Sequence, residues 1–325
     1  MAERAPRLGA HRERASLWTG GLLAAALAAL ALLAPWLAPH DPGWQWDAAA
    51  GRHLPPGSAR LAIELRDGRT LLAEAVEPRP AGLAFRRLGA WQRRPAAEVA
   101  SVTAVSFPLG TDRYGRDLAS RLLWGARVSL RIGAAAVALA LVLGVGVGAA
   151  AGLGPRWLDA LLSRAVDALL AFPRLFLVLA LAALAGAGEA LVVTALALTG
   201  WMEVARLVRG ELRRLRGADF ALAARAAGVP PVRLALRHLL PLALSPVLVT
   251  AALRLGDALL AEAALSWLGF GVQSPTASWG SLLADAQASL PGAWWMATFP
   301  GLAVALAVLA SALVAEGLRA ELARD

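Results

Sequence analysis

"ADFALAARAAGVPPVRLALRHLLPLALSP" occupies residues 218–246, between two long apolar runs. Arg225, Arg233, Arg237 and His238 interrupt the hydrophobicity, and a Gly-Val-Pro-Pro sits at the centre. A hairpin between membrane helices needs only a handful of residues, so a stretch this long predicts an element with a purpose of its own. Phe220, Ala223, Ala224 and Ala227 mark a small-residue helical face. Gly228 breaks it, and a glycine between two helices predicts positive φ. Pro230 and Pro231 fit the first turn of a second helix, where a missing N–H costs little. That helix, over 232–240, should be amphipathic, with Val232, Leu236 and Leu239 on one side and Arg233 and Arg237 on another. Pro241 should close it. Such a helix pair either docks another protein or rests on lipid headgroups, and the residues alone leave both readings open.

The flanking runs set the class. The chain has 325 residues, 58% of them hydrophobic, and a mean hydropathy of +0.58. Repeated apolar runs near 20 residues make it a polytopic membrane protein. The net charge of +9 then reads as topology and lipid contact rather than nucleic-acid binding. With no cysteine, disulfides and thiolate chemistry are excluded. All 32 basic residues are arginine, so a phosphate-binding G-x-x-x-x-G-K-[ST] loop cannot exist here. If ATP powers this protein, another chain binds it. Neither H-E-x-x-H nor G-x-S-x-G occurs, and His11, His40, His53 and His238 lack metal-ligand spacing.

Six spans are expected, at 17–37, 128–153, 165–187, 190–208, 242–265 and 294–318. The first run is too long for the apolar part of a signal peptide and reads as an uncleaved anchor. Arginines crowd 154–164, 206–241 and the tail, whereas 186–189 and 266–293 have none. By the positive-inside rule both termini and 206–241 are cytoplasmic. Gly144, Gly148 and Gly152 predict a groove for close helix packing, with a glycine-lined pathway as the other reading. Pro173, after Phe172, should kink the third span.

Several stretches together resemble one family. "AARAAGVPPVRLALRHLLP" is similar to the cytoplasmic EAA loop of ABC-importer permeases. "LAPHDP" after the first span, "LGTDRYGRDLASRLLWGARVSL" at 109–130, "RAVDALLAFPRL" at 164–175 and "GWMEVARLVRGEL" at 200–212 resemble the dipeptide/oligopeptide/nickel family, in particular its DppC/OppC-type subunit. So do "LAEAALSWLGFGVQSPTASWGSLLADA" at 260–286 and "FPGLAVALAVLA" at 299–310. The resemblance implies an all-α fold of six transmembrane helices with a cytoplasmic coupling loop, in a bacterial or archaeal inner membrane. It implies a non-catalytic half-channel that works with a second permease subunit, two ATP-binding subunits and an extracytoplasmic substrate-binding protein. ATP and magnesium would sit on the ATP-binding subunits, and this chain would hold no cofactor or metal. The loop residues carried over are Ala223, Ala224 and Gly228 at the turn, and Arg237, His238 and Pro241 at its exit. Leu222 stands where the family has glutamate, so the family's ionic contact is absent, and Asp219 is the nearest substitute. Peptide is the implied cargo; nickel, an opine or another small solute is the alternative within the family. A self-contained secondary transporter, the rival from another class, would favour inverted repeats.

Arg254, Asp257 and Glu262 fall inside the fifth expected span, where charge is costly and defaults to function. Arg254 and Asp257, three residues apart, either neutralise each other or line a cargo pathway. Glu262 lies near the outer end, within reach of solvent. The chain divides into a cytoplasmic segment (1–16), a first helix (17–38), an outer segment (39–106) and a permease core (107–325). Within 43–106 the resemblance lapses. Leu61, Ile63 and Leu65 alternate, Asp67-Gly68 fits a two-residue hairpin turn, and "RTLLAEAV", "LAF" and "EVASVTAVSF" follow. These predict a small β-rich insertion of three or four strands on the outer side, a candidate docking surface for the binding protein.

Overall fold

The computed structural model describes residues 5–80 and 82–322. It divides into two compact units. One comprises Leu130–Gly271 and the described parts of the two terminal segments; the other comprises Ala28–Ser129 and Val272–Ala303.

In the first unit the glycines of helix α2 (Leu118–Leu153) meet helix α5 (Glu189–Arg216). A Cβ on Gly144 would lie 2.5 Å from Val204 Cβ, one on Gly148 2.6 Å from the Ala205 carbonyl oxygen, and one on Gly152 2.9 Å from Leu212 Cβ. Only glycine allows this approach, as the spacing predicted. The contacts advance together along both helices, from Arg131 paired with Glu189 to Gly152 against Leu212, so α2 and α5 run parallel. The terminal helices α1 (Ala5–Leu37) and α10 (Trp295–Leu322) pack antiparallel, with Gly20 against Leu313 and Gly317 against Leu17.

Among the described residues five helical stretches are long and apolar enough to cross a membrane: Ala15–Leu37, Leu118–Leu153, Glu189–Arg216, Pro231–Trp267 and Trp295–Leu322. The span expected at 165–187 is instead two helices, α3 (Arg156–Leu170) and α4 (Arg174–Ala185). Pro173 stands between them with ψ 125, outside the helical region. Its ring leaves no N–H for the ladder and clashes with the preceding turn, so the expected kink becomes a break. At 12 residues α4 is roughly 18 Å long, well short of a bilayer core.

In the second unit residues 58–107 form six strands in two antiparallel sheets. The first has the order β2–β1–β6, from Thr70–Ala73, Ser58–Leu65 and Val99–Phe107. The second is β3–β4–β5, from Ala75–Arg79, Gly82–Arg87 and Ala90–Pro95. The alternation in β1 works as expected: Ile63 and Leu65 join Ala73 and Phe85 on one face, and Ala62 joins Leu72, Val105 and Phe107 on the other. The hairpin turn differs from expectation. Leu65 N–H donates to the Arg69 carbonyl and Gly68 N–H to that of Leu65, leaving three loop residues with Gly68 at φ +84. That is a type I turn closed by a glycine bulge. "RTLLAEAV" is not one strand either, because its two halves join different sheets at Glu74.

Asp47 ties the sheets together. Its carboxylate accepts from Ala49 and Ala50 N–H (both 3.0 Å), from Leu72 N–H of β2 (3.1 Å), and from Arg87 of β4 at Nε (2.8 Å) and Nη2 (2.9 Å). Burial pushes this carboxyl up, but Arg87 and the three amides together outweigh it and hold the group below the usual carboxylate range.

Candidate functional site

The stretch at 218–246 is built from the end of α5 onward. Arg213, Arg214 and Arg216 lie in the last turn of α5, where cations meet the negative end of the helix dipole. Helix α6 (Asp219–Ala226) follows with Asp219 in its first turn, the favourable end for a carboxylate. It ends in a Schellman motif: Gly228 adopts φ +76, and Val229 N–H donates 3.0 Å back to the Ala224 carbonyl. Val229 and Ala224 pack beside the buried core, so the turn is fixed by an apolar contact as well as by its hydrogen bond. The positive φ at Gly228 matches the sequence expectation.

Pro230 and Pro231 open helix α7 (Pro231–Leu234), as expected. Pro241 does not close it. The helix runs through one π turn (Ala235–Leu239), with Leu240 N–H donating to Ala235, and continues as α8 (Leu240–Trp267). The wider turn accommodates a proline that lacks an N–H and whose ring would crowd the carbonyl four residues back.

The element has a fixed face and an open one. Ala221, Leu234 and Leu239 are buried with Val208, Leu212 and Leu215 of α5 and Ala243 and Val247 of α8. Leu222 (49% exposed), Val232 (70%) and Leu236 (60%) are uncovered, as is Phe220. The three apolar residues expected on one side therefore separate: Leu239 is buried with Leu234, whereas Val232 and Leu236 are uncovered. The π turn rotates the register between the two sets. Ala223, Arg237, His238 and Pro241 are exposed and Ala224 is half-buried. Asp219, Arg233, Arg237 and His238 form no ion pair among the described residues.

The intramembrane charges differ from expectation. Arg254 is buried and pairs through Nη2 with Glu203 of α5, not with Asp257. Asp257 is exposed and forms no ion pair among the described residues. Glu262 does not reach solvent: it is 1% exposed and accepts a 2.9 Å hydrogen bond from Ser266 Oγ. Glu203 was legible only as a lone carboxylate in an apolar run, and its partner lies 51 residues away.

The second unit holds an ionic cluster between the 109–130 stretch and Asp285. Asp112, Arg116 and Arg121 are fully buried. Arg116 donates to Asp112 (2.6 Å), and Arg113 and Arg116 both reach Asp285 of α9 (Trp279–Ala286), at 2.8 and 3.2 Å. The Tyr114 ring lies 4.7 and 4.6 Å from the Arg113 and Arg116 guanidinium carbons. These contacts pin the loop before α2 to the helix before α10. The dense Asp-Arg run at 112–121 was the available signal; its partner Asp285 was not. Among the described residues no group of His, Asp or Glu could hold a metal ion.

One protein-family model, described as "Binding-protein-dependent transport system inner membrane component", matches residues 123–325. The chain belongs to this family. Among curated proteins it is similar to the dipeptide transport system permease protein DppC of Alkalihalophilus pseudofirmus, 40% identical over 65% of this chain and 69% of the relative. It is also similar to the di/tripeptide permease protein DppC of Pseudomonas aeruginosa (39% identical, 66% and 70% covered). A third relative is the glutathione transport system permease protein GsiD of Shigella flexneri (42% identical, 65% and 69% covered). Among solved structures, a chain of the MetNI methionine ABC transporter in inward-facing conformations aligns with TM-score 0.51 and 22% identity, covering 62% of this chain and 95% of that one. This last likeness is one of fold. The two sheets at 58–107 lie outside the residues matched by the permease family.

Proposed function

We propose that this permease forms half of the translocation pathway of a binding-protein-dependent ABC importer for di- and oligopeptides. Its α6–Gly228–α7 element inserts into a cleft on an ATP-binding subunit and passes the motion of ATP-driven closure to α5 and α8. A second permease subunit, two ATP-binding subunits and an extracytoplasmic substrate-binding protein complete the importer. ATP and magnesium belong to the ATP-binding subunits, in keeping with a chain that has no lysine. The cargo reading is supported by relatives named for dipeptides, di/tripeptides and glutathione, all short peptides.

One observation carries the coupling role. The element has one face locked into the core of α5 and α8, and an opposite face of uncovered Leu222, Val232 and Leu236. Apolar side chains displayed on a rigid support suit a protein cleft. Leu222 replaces the family's ionic contact with an apolar one.

The topology has six crossings. Because α2 and α5 run parallel, the chain between them must return across the bilayer, and α3 with α4 makes that crossing. The antiparallel packing of α1 and α10 supports both termini lying on one side. The arginine bias makes that side the cytoplasm. The sheets join the end of α1 to the start of α2 and so occupy the outer side, where they are available to the binding protein.

The chain has no cysteine, which makes a direct test simple. Ala223→Cys in the assembled importer should form a disulfide with a cysteine engineered into the ATP-binding subunit's cleft, and Trp91→Cys in β5 should not. Absence of the Ala223 cross-link in an assembled, transport-competent complex would refute the coupling role.

A further inference from the structure

Three helix ends converge where the glycine contacts of α2 finish: the end of α2, the start of α3 and the last turns of α5. Between them opens a cavity of about 360 Å³, lined by Gly152, Gly154, Arg156, Asp159, Arg213 and Arg216. Three arginines there face one carboxylate. Asp159 is already engaged, accepting from both Arg209 and Arg213. Arg216 Nη1 donates 2.8 Å to the Gly152 carbonyl and has no carboxylate partner among the described residues. Arg156 likewise forms no ion pair among them. The first turn of α3 begins at the same place without a side-chain cap, and its dipole adds positive potential. Among the described residues the cavity carries more positive charge than the single Asp159 carboxylate balances.

Its surroundings carry uncovered apolar side chains. Trp157 is 68% exposed and Leu161 58%, both on α3 beside Arg156 and Asp159. An uncovered indole next to cationic side chains, at the end of membrane-crossing helices, is the arrangement found at the headgroup level of a bilayer. Apolar side chains uncovered on the same helix mark a contact surface, and the adjacent arginines and indole match the headgroup level of a membrane.

We propose that this cavity binds the phosphate of an anionic phospholipid. Arg156 and Arg216 supply the cationic contacts, Arg213 is shared with Asp159, and Trp157 and Leu161 lie along the glycerol and upper acyl region. The ligand chemistry is a phosphate anion. A lipid, rather than free phosphate, is its source because the flanking surface is apolar. Basic pockets between membrane helices on the cytoplasmic side hold anionic headgroups in this way. The inference rests on the membrane placement proposed above and is independent of the cargo.

The test uses the assembled importer in detergent, titrated with phosphatidylglycerol, phosphatidylcholine or inorganic phosphate and read by native mass spectrometry. Phosphatidylglycerol should bind this subunit at least tenfold more tightly than phosphatidylcholine, and millimolar phosphate should not displace it. Arg156→Gln with Arg216→Gln should weaken phosphatidylglycerol binding about thirtyfold. Arg214→Gln should leave it unchanged, since Arg214 pairs with Glu211 and does not line the cavity. If the double variant does not assemble, Arg156→Gln alone serves, because that side chain is exposed and unpaired, and a drop of about fivefold is expected. Equal binding of the two lipids, or undiminished binding in the variants, would overturn the proposal. Displacement by phosphate would make the cavity a free-anion site. Binding that appears only after the ATP-binding subunits are removed would assign it to a protein contact. A topology reporter at Gly217 separates the levels: a non-cytoplasmic Gly217 removes the membrane orientation itself, whereas a cytoplasmic Gly217 without lipid binding removes only this inference.

Discussion

Gly228 offers the sharpest probe of the coupling turn, because the two costs of replacing it can be separated. Its φ of +76 lies in the left-handed region, yet a Cβ built there meets nothing within 4 Å. Within this chain the penalty is therefore backbone strain alone, about 1–2 kcal/mol for alanine and more for a β-branched residue. Asparagine tolerates the same conformation at lower cost. Each 1.4 kcal/mol is a factor of ten in the population of the native turn. Peptide uptake by the importer in proteoliposomes, normalised to inserted protein, should thus fall in the order Gly228→Asn, Gly228→Ala, Gly228→Val. Asparagine should stay within a few-fold of the parent, alanine should lose about fivefold to thirtyfold, and valine should be inactive. ATP hydrolysis should lose its stimulation by the loaded binding protein in the same order. Normal uptake with Gly228→Val at normal expression would refute the reasoning outright. An asparagine variant as damaged as valine would show that the partner's cleft, not backbone conformation, excludes the side chain.

Two further predictions concern charge. The Asp47 carboxyl is held below its ordinary value, so its stabilisation of the sheets is present in full above about pH 4 and is lost as pH falls through the lowered value. Protection factors across 58–107, with exchange corrected for its intrinsic pH dependence, should fall in acid in the parent, whereas Asp47→Asn should be less protected at neutral pH and lose little more in acid; identical profiles would exclude the role. In the first unit, Glu203→Gln leaves the buried Arg254 cation unpaired, at a cost of about 3 kcal/mol because Glu203 itself is half-exposed. Adding Arg254→Met should restore most of the thermal stability of the purified complex, and a double variant no more stable than the single one would show that the pair is not coupled.

Local patterns carried the sequence reading where chemistry and geometry share a short range. Gly228, Pro231, the glycines of α2 and the alternation in β1 each dictate a conformation through their own backbone or their immediate neighbours. A sequence says least where the deciding partner is distant. Arg254 has Asp257 one turn away, close enough to neutralise it or to line a pathway with it, but Glu203 on α5 presents the carboxylate. The strands β3 and β5 escaped notice because "AVEPR" and "AWQRRP" are rich in proline and charge, and only pairing with β4 makes them strands. Pro241 carried its usual meaning as a helix terminator, and a π turn absorbed it. Leu222 was legible as an exception to a motif, but only the fold reveals it as part of an uncovered apolar face.

The glycine seam between α2 and α5 has a mechanical consequence. Its three contacts span eight residues, or about 12 Å of helix, with the backbone of one rod seated against the side chains and carbonyls of the other. Longer side chains at such a joint could change rotamer and let the rods slip. Glycines have no such slack, and close-packed contacts compress little. A pull applied at the Arg216 end of α5 therefore meets strong resistance to shear along the seam. Over that length the two helices are held as one stiff unit, and in the coupling role proposed above a displacement of α5 would carry α2 with it.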